Sequence, residues 1–240
     1  VDNPTYAGAA LCPCAGRISQ NSLVIEGHPV ILTANDGFNN LHGGIECGSH
    51  RPWKVSGLSH TTEQCSVLLS LSMPNNTDGF PGNRNISIRY TLQNDHSLKI
   101  SFLGTSDKIT YMNLSNHSYF NLAGHDSGDV MKQEVWLNAS RYTPADEVSI
   151  PTGEIAPVAG TPMDFTEMKA IGRDIGADFE ALVFGKGYDH NWVLDKEEGE
   201  LALAAKAMDP ASGRVLECYT DLPGIQFYTA NFLQDEMPVW

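Results

Sequence analysis

The sequence predicts an all-β protein of antiparallel sheets. Apolar and β-branched residues come in short runs of about five to eight, a length that suits strands and falls short of helices. Dense turn clusters separate the runs, among them Glu26-Gly27-His28, Asn35-Asp36-Gly37, Pro74-Asn75-Asn76-Thr77-Asp78-Gly79 and Gln93-Asn94-Asp95-His96. No heptad, repeat or low-complexity linker interrupts the pattern.

Taken in order, residues 1–19 mix Gly, Ala, Pro and Cys and begin without Met, so the sequence is expected to start inside a longer protein. Strands are then expected over 22–26, 29–33, 66–73, 86–92, 98–103 and 134–137. Residues 142–164 carry Pro144, Pro151, Gly153, Pro157, Gly160 and Pro162, which oppose regular ladder pairing and read as a long ordered loop. A short helix is expected near 167–175. Strands resume over 190–194, 201–208, 214–220 and 226–232.

The 240 residues suit one large domain or two small ones, and without a linker residues 1–240 are read as a single domain. Lys plus Arg is 15 and Asp plus Glu is 29, a net charge of −14 with no basic cluster, which argues against nucleic acid and anionic membrane surfaces. A neutral substrate suits this charge better than a phosphorylated one. No apolar run approaches the roughly 20 residues of a membrane span, and no leader pattern opens the chain. Cys12, Cys14, Cys47, Cys65 and Cys218 are odd in number and lack metal-knuckle spacing, so they read as reduced thiols. The expected protein is soluble and cytoplasmic. The sequons at Asn75, Asn85, Asn113, Asn116 and Asn138 read as incidental, because Asn113 and Asn116 fall in the candidate site.

That site centres on Asn113-Leu-Ser-Asn-His-Ser-Tyr-Phe-Asn-Leu-Ala-Gly124, where polar side chains stand at positions a strand would fill with apolar ones. Such groups must be satisfied by one another or by a polar ligand. On residue type alone, His117 reads more readily as a satisfied core histidine, since a lone His is catalytic in roughly one case in five. The stretch resembles the signature of the galactose mutarotases (aldose 1-epimerases). Gly16-Arg17-Ile18, Asn40-Leu41-His42-Gly43-Gly44, Gly187-Tyr188-Asp189-His190-Asn191 and Pro223-Gly224-Ile225-Gln226-Phe227-Tyr228-Thr229 fit the same family in the same order, and Pro162-Met163-Asp164-Phe165 is a weaker match.

The resemblance implies a large antiparallel β-sandwich, the galactose mutarotase-like supersandwich, with few short helices and an open groove on a concave face. It also implies interconversion of the α and β anomers of galactose, glucose or a similar neutral hexose. Opening the ring needs a proton delivered to the ring oxygen and one removed from the C1 hydroxyl. Two positioned acid-base groups accomplish this with neither metal nor organic cofactor, each worth roughly 10² to 10⁴ in rate. In the family a His donates to the ring oxygen and a Glu accepts from the hydroxyl, and the His matches His117. His42 matches a second histidine near the ring oxygen, although its Asn and Gly neighbours equally suit a plain turn. Arg17 matches an arginine that orients sugar hydroxyls, the alternative being a surface ion pair that its apolar surroundings disfavour. Asp189 and Gln226 match residues that hydrogen-bond the sugar, with Tyr188 and Trp192 as aromatic walls. Neighbours in a strand face opposite ways, so Asp189 rather than His190 is expected to face the sugar. Asp164 is a weaker candidate that can equally close an Asx turn.

Two departures accompany the resemblance. Gly16 stands where the family has an Asn, removing an amide that could touch a sugar hydroxyl. The family's catalytic Glu lies in a Cys-Leu-Glu-x-Gln-like segment beyond the Gln-Phe-Tyr-Thr stretch, and this sequence reaches Trp240 without it. Glu236 comes too soon after Phe232, and Glu217 belongs to the strand before Pro223. Three explanations stay open: an incomplete sequence, which the missing start also favours, a natural fragment, or a chain that binds sugar without turning it over. A non-catalytic sugar-binding protein is therefore the alternative, followed by an accessory sandwich domain of a polysaccharide-degrading enzyme. Oligomeric state is not legible.

Overall fold

A computed structural model describes residues 3–233. Its backbone divides into two compact units, Val1–Ser118 and Tyr119–Trp240.

In the first unit the strands in order are β1 (Ala10–Leu11), β2 (Arg17–Ile18), β3 (Ser22–Ile25), β4 (His28–Ile31), β5 (Asn40–Leu41), β6 (Lys54–His60), β7 (Gln64–Met73), β8 (Arg84–Gln93), β9 (Leu98–Ser106) and β10 (Ser115–Asn116). The last four long strands form an antiparallel meander, β6-β7-β8-β9. Its register follows side-chain alternation. Leu71, Met73, Ile86 and Ile88 are buried while Ser72 and Asn85 between them are exposed. Asn94–Ser97 closes β8 to β9, with His96 at φ 68° and the Ser97 N–H bonded to Asp95 Oδ1 at 2.9 Å. Glu26 and Gly27, both at positive φ, turn β3 into β4. Strand β6 lies outside the expected runs. It is an edge strand of mostly exposed residues that includes Ser56, Gly57 and Ser59, so it shows no apolar alternation.

The shorter ladders carry the chain past the candidate site. β2 pairs with β5, Arg17 opposite Leu41, and β1 pairs with β10, Ala10 opposite Asn116. Two core clusters lie beneath them, Cys12, Leu71, Met73 and Ile86, and Cys14, Ile18, Leu32 and Phe80. All five thiols are free, and burial pushes those of Cys12 and Cys14 up to about 12.

The second unit contains β11 (Glu134–Leu137), β12 (Arg141–Thr143), β13 (Ala156–Pro157), β14 (Lys169–Ala170), α1 (Glu180–Gly185), β15 (Asp189–Val193), β16 (Ala202–Met208), β17 (Val215–Thr220) and β18 (Gly224–Tyr228). They make two antiparallel sheets, ordered β14-β11-β16-β17 and β13-β12-β15-β18. One core draws on both sheets, with Leu137, Val158, Met163, Phe165, Tyr188 and Trp192 at most 1% exposed. The chain is all-β, of the sandwich class.

The helix expected near 167–175 does not form. Those residues make β14, which pairs with β11, and a single 3-10 turn at Ile171–Arg173. The buried Lys169 ammonium donates to Pro162 O and pairs with Asp174, both at 2.7 Å, above the Phe165 ring. These tertiary contacts override local helix preference. The α-helix lies further on, at α1, burying Ala181 and Leu182. The expected loop 142–164 is partly laddered, Tyr142 opposite Ala156, and Pro157 is accommodated because β13 is an edge strand.

Candidate active site

His42 sits on a turn of unusual backbone. His42, Gly43 and Gly44 have φ of 53°, 94° and 105° in succession, a region glycine enters freely and other residues only at a cost. A Cβ on Gly44 would collide with the Asp78 carboxyl group. That carboxylate accepts from the N–H groups of Ile45 (3.1 Å) and Glu46 (2.9 Å) and so fastens the end of the turn. At its start the His42 N–H donates to Gly16 O at 3.0 Å, and the Gly16 N–H donates to His42 Nδ1 at 3.1 Å. An Nδ1 that accepts leaves the proton of the neutral ring on Nε2. Burial first, then His117 and Arg17, pushes the His42 pKa down to about 3. His42 is thus a neutral hydrogen-bond donor throughout the physiological range.

His117 follows β10 and is held by its backbone. Its N–H donates to Ala9 O at 2.9 Å, and its carbonyl accepts from the Gly8 N–H at 3.0 Å. The asparagines of the 113–124 stretch satisfy backbone groups here. The Asn113 amide donates to Ala15 O and the Asn116 amide to Gly8 O, both at 3.3 Å. They bind the His117 segment to residues 8–15. The His42 and His117 rings meet edge to face, centroids 5.4 Å apart and planes at 86°.

Arg17 is engaged in an ion pair, contrary to the expectation from its surroundings. Its Nε meets Asp36 Oδ2 at 2.6 Å. Asp36 lies in the Asn35-Asp36-Gly37 turn, and sequence distance hid the pairing. Tyr6 was also missed. Its ring lies 4.7 Å from that of His42 and 6.2 Å from that of His117, and no sequence pattern in residues 1–19 marks it.

In the second unit, β15 and β18 place Asp189 and Gln226 together, and Gln226 Nε2 donates to Asp189 Oδ1 at 2.7 Å. His190 turns inward and is 3% exposed. Tyr188 and Trp192 cannot be walls of a sugar site. Both are fully buried, packed among Phe165 and Phe227, with Tyr188 OH bonded to Pro162 O and Trp192 Nε1 to Met163 O. The partly exposed aromatic rings beside Asp189 are Tyr119 and Tyr228, 5.9 Å apart. Asp164 closes an Asx turn, accepting from the Thr166 N–H at 3.0 Å and the Thr166 hydroxyl at 2.6 Å. Glu217 pairs with Lys206 at 3.2 Å within β16–β17, and Glu236 lies outside the described residues.

An all-β sandwich of this kind is shared with solved sugar epimerases. The galactose 1-epimerase from Lactobacillus acidophilus NCFM superposes with a TM-score of 0.87 at 29% identity, over 96% of this chain and 66% of that one. The GalM/aldose epimerase homologue from C. elegans gives 0.84 at 27% identity, over 96% of this chain and 67% of that one.

The chain belongs to the aldose 1-epimerase family, whose model matches residues 1–239. It is 38% identical over 228 residues to the galactose mutarotase of Sus scrofa, covering 95% of this chain and 63% of that protein. It is 35% identical over 232 residues to the aldose 1-epimerase of Escherichia coli (strain K12), covering 97% and 65%. The chain thus spans less than two thirds of the length of these relatives.

Proposed function

We propose that the protein is an aldose 1-epimerase that interconverts the α and β anomers of a neutral hexose such as galactose or glucose. The observation that carries this reading is the edge-to-face pair of His42 and His117 in a chain of this family. Our assignment makes His117 the acid that protonates the ring oxygen and later recovers the proton. His42, neutral and with its proton on Nε2, donates a hydrogen bond that steadies charge developing at that oxygen. Arg17 orients sugar hydroxyls, and its pairing with Asp36 holds the guanidinium fork in place. Asp189 accepts from a sugar hydroxyl and Gln226, already bonded to it, fixes its direction. The chemistry also needs a carboxylate to take the C1 proton, and we assign that part to none of the carboxylates placed above. The negative charge favours an uncharged sugar and disfavours nucleic acid, and the compartment we propose is the cytoplasm.

Polarimetry of freshly dissolved α-D-galactose, corrected for spontaneous mutarotation, tests the reading. Relaxation that accelerates in proportion to protein supports the epimerase. An unchanged relaxation rate alongside measurable galactose binding would overturn it in favour of the sugar-binding alternative.

A further inference from the structure

Tyr6 lies outside every motif that marks the site, yet its ring meets both site histidines. It meets His42 edge to face, at 4.7 Å and 74°, and lies nearly parallel to His117 at 6.2 Å and 26°. It also stacks on His50, at 5.4 Å and 27°. The His50 ring is held in turn, its Nδ1 3.1 Å from Ile45 O, on the segment that Asp78 fastens after the His42 turn. One phenol ring therefore lies against three imidazoles, two from the segment that follows β5 and one from the stretch after β10.

The backbone under Tyr6 is built for this contact. Tyr6 has φ 57°, a left-handed conformation that a bulky residue adopts only where its surroundings enforce it. A compact turn does so. The Tyr6 N–H donates to Asn3 O (3.1 Å), the Ala9 N–H to Tyr6 O (2.9 Å) and the Ala7 N–H to Asn3 Oδ1 (3.0 Å). The same turn grips His117, through Ala9 O on its N–H and the Gly8 N–H on its carbonyl. The residue that carries the ring and the histidine it covers are thus one hydrogen-bonded unit.

We propose that Tyr6 is a positioning residue whose ring sets the relative orientation of His42 and His117 and shields His42 from water. This rests on the reading of the two histidines as the acid-base machinery. The ring, and not the hydroxyl, makes these contacts, so Tyr6→Phe retains the function and Tyr6→Leu, which keeps apolar bulk without a planar face, loses it. A misplacement of about 1 Å at reacting groups costs on the order of 10²-fold in rate. Ring loss is accordingly expected to lower kcat by roughly 10- to 100-fold with little change in KM. Burial is the largest cause of the depressed His42 pKa, ahead of the neighbouring His117 and Arg17 charges. Opening the site to water should therefore raise that pKa towards 6.5.

The test compares wild type, Tyr6→Phe and Tyr6→Leu in galactose mutarotation by polarimetry and in titration of the His42 imidazole by NMR, with thermal midpoints as a check on folding. The expected result is a lower kcat and an upward-shifted His42 midpoint for Tyr6→Leu, both restored in Tyr6→Phe. A folded Tyr6→Leu with wild-type kcat and an unmoved His42 midpoint would overturn the proposal. So would a Tyr6→Phe that falls as far as Tyr6→Leu, since that places the effect in the hydroxyl. Should Tyr6→Leu not fold, Tyr6→Met takes its place with the same expected outcomes. If wild type shows no epimerisation the functional reading fails, and the NMR titration still decides the positioning of His42 by Tyr6.

Discussion

His42 and His117 sit ring to ring, yet their surroundings suit them to different tasks. His117 is fixed through its backbone, and the proposed acid role predicts that His117→Ala lowers kcat by about 10² to 10⁴. Galactose binding should remain within a few-fold, read by calorimetry beside polarimetry. An unchanged turnover would remove it from the chemistry. His42 titrates near 3 when folded against 6.5 when unfolded, so between these values the unfolded chain binds more protons. Its contribution to stability is complete above about pH 6.5 and is lost as pH falls towards 3, by at most about 1.4 kcal/mol per pH unit. Urea midpoints at pH 7 and pH 4.5 should therefore differ less in His42→Gln than in wild type. For Asp189→Asn we expect about tenfold or greater weakening of galactose binding with a smaller change in kcat, because a hydroxyl loses a charged acceptor. An unaltered dissociation constant would take Asp189 out of the site.

At the scale of the element, the turn His42-Gly43-Gly44 is the most exacting piece of backbone near the site. Gly44→Ala adds a left-handed penalty to a collision with Asp78, and we predict a loss of about 2 to 4 kcal/mol by urea denaturation. Retention of wild-type stability would show that the Asp78 clamp yields easily. The same scale explains the misplaced helix. Residues 167–175 hold a plausible local pattern, but β14 completes the edge of a sheet and Lys169 finds its partners at Pro162 and Asp174. Pro162 lies outside the run, and the strand pairing with β11 is set by residues more than thirty positions away, so neither is readable from the run itself. The strand expected at 86–92 was legible because Ile86 and Ile88 alternate with the polar Asn85, Ser87 and Arg89, and that at 134–137 because it is a short apolar run, Val135-Trp136-Leu137, of strand length. Strand β6 was not, because an edge strand has little apolar face to display.

Across the molecule, a net charge of −14 coexists with an apolar surface on the meander of the first unit. Leu58 is 77% exposed, Leu92 53% and Leu98 56%, and with Val67 and Tyr90 they line one shallow groove. Surface of this kind takes up apolar dyes. We expect the native protein to enhance anilinonaphthalene sulfonate fluorescence at neutral pH and Leu58→Asp to remove at least half of that enhancement without lowering the thermal midpoint. An equal signal from the variant would place the dye elsewhere. Among the described residues no helix is long and apolar enough to cross a membrane.

The sequence by itself determined the fold class, most strand positions and the family, because these depend on short-range alternation, turn chemistry and motifs contiguous in the chain. It also indicated that Asp189 and His190 face opposite ways, with His190 the buried one, since opposite facing of neighbours is a local property of a strand. Only the tertiary structure decided which side chains meet. It paired Arg17 with Asp36, sank Tyr188 and Trp192 into a core, spent Asp164 on its own turn and brought Tyr6 against His42. The reason is physical. The tautomer of His42 follows from the Gly16 N–H, and its depressed pKa from burial and from His117 and Arg17, groups remote from it in sequence whose positions are set by hydrogen bonds between separate stretches of chain.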